Sequence, residues 1–86
     1  MAFAIVLFPR ARIRIGTHPD GSRDVAVTGG LARYAGRIGD FVSRERVPDG
    51  TVYLTRAGRV RFRGPFGEGI QQQIRNFLAA ECRTAP

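Results

Sequence analysis

Arginine stands at every second position in two short stretches: Arg10, Arg12 and Arg14, then Arg59, Arg61 and Arg63. Each guanidinium is a planar, permanently charged fork of donors that matches phosphate or carboxylate and stacks on flat groups. In an extended strand, side chains two apart project from one face. Thr51, Tyr53 and Thr55 alternate in the same way with apolar neighbours. The six arginines and Tyr53 therefore form the candidate anion- and nucleic-acid-binding set, with Tyr53 as a ring on which a base can stack. A plainer reading stands beside this one, because any one-sided antiparallel sheet has a polar outer face. Thr and Glu would serve that purpose equally well, and like charges on adjacent strands repel. That mild frustration points towards a partner.

Catalytic chemistry is poorly represented. A nucleophile needs a positioned base, yet Ser22 falls in a turn, Ser43 on a helix and His18 in a loop, and nothing in their spacing pairs them. Cys82 lies near the C-terminus with no signal for a lowered thiol pKa. A single cysteine forbids an intramolecular disulfide, and with a single histidine it leaves no donor set for zinc. Gly64, Gly67 and Gly69 precede a helix, but the phosphate-loop lysine and the dinucleotide spacing are both missing. They suit a strand-to-helix turn instead. No catalytic residue, cofactor, metal or small-molecule substrate is expected. Gln71, Gln72, Gln73 and Asn76 carry amides that can read base edges. Helical spacing turns Gln71, Gln72 and Arg75 to solvent and places Gln73 at the core boundary.

The elements that must hold these residues follow from periodicity. Arg10 to Ile15 alternates basic and apolar residues and reads as a strand. His18-Pro19-Asp20-Gly21-Ser22 is a turn, and Asp24 to Thr28 a second strand. From Leu31 the period becomes helical: Leu31, Tyr34, Ala35, Ile38, Phe41 and Val42 share a face. Arg33, Arg37, Asp40 and Arg44 lie opposite, with Asp40 and Arg44 spaced as a surface pair. Gly36 and Gly39 weaken this helix and suit close packing against a neighbour. The helix should stop before Val47-Pro48. Then the pattern recurs. Thr51 to Thr55 and Arg59 to Arg63 are strands around a Gly58 loop, and Pro65 opens a second helix with the stripe Ile70, Ile74, Phe77 and Leu78.

The expected fold is α+β: a tandem ββα-ββα repeat forming a four-stranded antiparallel sheet with two helices packed on one face. Ile13, Ile15, Val25, Val27, Val52, Leu54, Val60 and Phe62 would form its inner face. Glu45 and Glu81 fall on the apolar side of their helices, in the last turn. Those turns are expected to overhang the sheet edge, the other arrangement being that each carboxylate meets an arginine.

A chain of 86 residues allows one domain, and 43% hydrophobic with 24% charged residues is ordinary globular composition. The net charge is +7, from 14 basic residues, all arginine, against 7 acidic ones. Such a surplus favours nucleic acid, an anionic membrane surface or an acidic protein. A GC-rich genome would explain the missing lysine but not the excess of base over acid. The lone cysteine fits a reducing, cytoplasmic compartment.

Residues 1–9 form an apolar segment ahead of a single domain at 10–86. The run Ala2 to Phe8 is shorter than the about 20 residues of a membrane span and lacks signal-peptide features. It reads as an extra N-terminal strand or as a docking segment with Phe3, Ile5 and Leu7 as partner-binding residues, rather than as the remnant of an anchor.

The stretch from Gly58-Arg59-Val60-Arg61-Phe62-Arg63-Gly64-Pro65 into Gly69-Ile70-Gln71-Gln72-Gln73-Ile74-Arg75-Asn76-Phe77 resembles a small bacterial family known as domain of unknown function 3634. The likeness runs roughly from Arg12 to Leu78 and is specific from Thr51 onward. It implies strand-strand-helix twice over and supplies no activity. Family members typically carry an N-terminal membrane helix, from which this chain departs. Two readings follow. In the first, a small non-enzymatic module docks its Arg-lined sheet face on an anionic partner, nucleic acid foremost. In the second, the chain is a structural or adaptor subunit using its apolar N-terminal run for contact with another protein or a second copy.

Overall fold

The computed structural model describes residues 9–82. β1 (Ala11–Thr17) and β2 (Arg23–Gly29) form a hairpin. Its loop is held by Asp20, whose carboxylate accepts from the backbone N–H and hydroxyl of Ser22. A 3-10 turn (Ala32–Tyr34) leads into α1 (Ala35–Arg44). β3 (Gly50–Leu54), β4 (Val60–Arg63) and α2 (Glu68–Glu81) complete the order strand-strand-helix, strand-strand-helix. The strands pair antiparallel in the order β2-β1-β3-β4. The expected extra strand and the residues Phe3, Ile5 and Leu7 lie outside the described residues.

Alternation sends Ala11, Ile13 and Ile15 of β1 and Val52 and Leu54 of β3 into the core. Their counterparts on the edge strands, Val25, Val27, Val60 and Phe62, are half-buried because only one flank is covered. Ile38, Phe41 and Val42 of α1 and Ile74 and Leu78 of α2 join the same cluster. Phe41 and Phe77 stack between the helices at 4.3 Å. Both helices thus cover one sheet face, as the two strand periodicities require. The gap between the layers is about 10 Å³ and wholly apolar, no larger than a water site and without groups to hold one. This gap therefore holds no ligand.

Several expectations are corrected. The first helix starts at Ala35 rather than Leu31. The Tyr34 N–H bonds the Leu31 carbonyl in a tighter turn, which leaves Leu31 2% exposed in the core. Pro65 does not begin α2. Gly67 caps that helix in an extended conformation, because Phe66 turns back to pack on Phe62 at 5.5 Å. Gly36 and Gly39 make no close approach, since a Cβ at either would meet nothing within 4 Å. Glu45 and Glu81 keep contact with solvent, as overhanging last turns would, and each also meets an arginine, Arg44 at 3.3 Å and Arg37 at 3.4 Å. Arg44 thus pairs with Glu45 rather than Asp40. Gln71 is half-buried, and its amide donates to the Phe66 carbonyl at 2.9 Å; Gln73 is exposed.

Candidate nucleic-acid interface

The sheet face opposite the helices is set by register. Tyr53 of β3 lies between Arg12 of β1 and Arg61 of β4, with Thr28 of β2 beyond Arg12. One row along, Thr51 lies between Arg14 and Arg63, with Ala26 beyond Arg14. Arg10 continues the first arginine column, because its N–H donates to the Leu54 carbonyl and its carbonyl accepts from the Gly30 N–H. Arg59 precedes β4; its carbonyl accepts from the Thr55 N–H, and its own N–H donates to the Thr55 hydroxyl oxygen. Among the described residues no element crosses this face. Arg10, Arg14, Arg59, Arg61 and Arg63 are exposed, and Arg12 and Tyr53 are half-buried.

Strand order changes the electrostatic argument. β1 and β4 are not neighbours, since β3 runs between them. The two arginine columns are therefore about 10 Å apart, two strand spacings. Neutral Thr51 and Tyr53 fill the directly opposed positions, so the like-charge frustration expected between adjacent strands is absent. The face is a pair of cationic rails flanking a polar and aromatic strand. Among the described residues one carboxylate shares it, Asp24, opposite Gly16 at the far end of the β1–β2 pair.

Arg12 is the most constrained of the set. Its guanidinium carbon lies 5.5 Å from the Tyr53 ring centroid, within cation–π range. Its Nε is buried with no hydrogen-bond partner. Next to Arg14 the surface dips into a hollow of about 300 Å³, because Gly16 and Ala26 contribute little or no side chain there; Ile15, Asp24, Gly50 and Thr51 line it as well. The sequence signal for this hollow was present in those small residues. It could be read only once the register had brought three strands together.

The remaining candidates are dispersed. The Ser22 hydroxyl donates to Asp20 at 2.6 Å, and with the Ser22 N–H it holds that carboxyl below its ordinary pKa. His18 is exposed in the same loop, and Ser43 is exposed on α1. Cys82 is 4% exposed, and burial, reinforced by Glu81 and opposed by Arg37, pushes its thiol pKa up. Such a thiol is a poor nucleophile. Gln72 and Asn76 bond one another at 3.0 Å along α2. Arg33 and Arg75 lie over the rings of Tyr34 and Phe62, on the helical side of the molecule. No helix among the described residues is long and apolar enough to cross a membrane.

Comparison with protein-family models, curated proteins and solved structures gives no match for this chain. The functional reading therefore rests on the chemistry of the sheet face.

Proposed function

We propose that the protein is a small binding module, without catalytic chemistry of its own, that docks its arginine-lined sheet face on nucleic acid. The observation carrying this is the pair of arginine columns flanking Thr51 and Tyr53 across three paired strands. Six arginines against one carboxylate gather much of the net charge of +7 on one side. Paired strands hold the backbone that carries them, so no backbone ordering is needed on binding. Six guanidiniums spread along two strands carry more charge than one small anion neutralises, which suits a polymer of phosphates.

The test is binding of random single- and double-stranded oligonucleotides at low and moderate salt. Binding at low salt that falls steeply as salt rises supports the reading. Replacing Arg12, Arg14, Arg61 and Arg63 together with serine should abolish it. An absence of binding at low salt, or binding that survives the fourfold replacement, overturns it.

A further inference from the structure

We infer that the polymer on this face is single-stranded, with one base stacked on Tyr53 and its neighbour seated over the hollow beside Arg14. This deepens the nucleic-acid reading and rests on it. A duplex presents its phosphates and hides its bases in the stack, so it would use the rails and leave Tyr53 idle. Here the ring stands between the rails. Arg12 lies against it, and the register puts Arg61 on its other flank. A base entering between Tyr53 and Arg61 would be held by two flat groups, an aromatic ring and a guanidinium.

The spacing along the strand points the same way. Tyr53 and Thr51 are two residues apart, about 7 Å, roughly twice the about 3.4 Å rise per nucleotide of a duplex strand. Bases seated at these two rows cannot remain stacked on each other. They must be splayed, which a single strand permits and a duplex does not. The hollow at Gly16 and Ala26 gives the second base room, with the Thr51 hydroxyl and the Asp24 carboxylate available to its polar edge. A buried donor without a partner is unfavourable. A phosphate oxygen drawn to Arg12 would give its unpartnered Nε an acceptor after a small shift of the side chain.

The experiment uses single strands of about ten nucleotides, a span within reach of one small domain. A duplex of the same length and inorganic polyphosphate are the comparison probes, with affinities read by fluorescence anisotropy. Single strands should bind more tightly than the duplex. Tyr53→Val keeps a strand-forming residue and should weaken single-strand binding about 10-fold or more, while polyphosphate binding is unchanged and Tyr53→Phe behaves as native. The chain has no tryptophan, so its ultraviolet emission comes from Tyr34 and Tyr53. In a Tyr34→Phe background, a stacked base should quench that emission and polyphosphate should not. If Tyr53→Val and the native protein bind single strands equally, or the duplex binds as tightly, the single-strand inference falls while the nucleic-acid reading stands. If the native protein binds neither form of nucleic acid at low salt, the reading itself falls.

Discussion

Phe66 lies directly over Gly50: a Cβ added at Gly50 would come within 2.5 Å of the Phe66 ring and 2.7 Å of the Arg63 carbonyl oxygen. The backbone at Gly50 has φ 155°, which L side chains seldom adopt. The glycine thus lets the strand-to-helix turn fold back across the start of β3. Gly50→Ala should lower stability by about 2–3 kcal/mol, from overpacking and backbone strain together. Phe66→Ala should cost about 3–5 kcal/mol by opening the core. Thermal unfolding of both single variants and the double variant checks this. The double loss should be smaller than the sum, because removing the ring removes part of the clash.

The end of α1 makes a prediction of opposite sign. Val47 N–H bonds the Val42 carbonyl and Arg46 N–H the Ser43 carbonyl, the two bonds of a Schellman cap. Arg46 carries the left-handed residue, at φ 53°. Glycine is the usual choice there, because a Cβ is unfavourable in that conformation. Arg46→Gly should raise stability by about 0.5–1 kcal/mol, offset in part by the extra freedom of the unfolded chain. For a domain of this size that is an increase of about 2–8 °C in Tm. An unchanged or lower Tm would show that the arginine side chain compensates.

Gly39 offers a related gain. It sits within α1, and a Cβ there meets nothing within 4 Å. Gly39→Ala should therefore add about 0.5–1 kcal/mol from helix propensity alone. Had the glycine served close packing, as its place in the sequence suggested, the same change would destabilise. Urea unfolding distinguishes the two by the sign of the shift in midpoint.

Strand periodicity was legible throughout: the alternation of Arg12, Ile13, Arg14 and Ile15 assigns both faces of β1 before any contact is known. Pairing was not. Alternation says which face a residue takes, but not which strand lies beside it, and the order β2-β1-β3-β4 is what separates the arginine columns. The cation–π contact of Arg12 with Tyr53 and the hollow at Gly16 are likewise products of register, which local spacing does not encode. Phe66 was also missed as a core residue, because the turn that carries it has no period to read.

Cys82 gives the pH dependence. Burial holds its thiol pKa above the ordinary value in the folded state. The unfolded chain ionises first as pH rises, so this contribution is whole below the unfolded thiol pKa and is lost as pH climbs through the folded value. The native protein should therefore lose more stability than Cys82→Ala between neutral and alkaline pH. Iodoacetamide should modify the thiol slowly in the native protein and rapidly in denaturant. Fast native alkylation at neutral pH would contradict the buried placement.

Salt dependence tests the geometry of the rails arginine by arginine. On single strands, each phosphate contact contributes about 0.7 to the slope of log K against log salt. If the proposed binding holds, Arg14→Ser and Arg63→Ser, taken one at a time, should each flatten that slope by about this amount, because the two stand on different rails, on either side of Thr51, and would meet different phosphates. Arg33→Gln, beside Tyr34 on the helical side, should leave the slope unchanged although it removes the same charge. If all three variants flattened the slope equally, only the total charge of the molecule would be at work, and the arrangement of arginines on the sheet would have no part in binding.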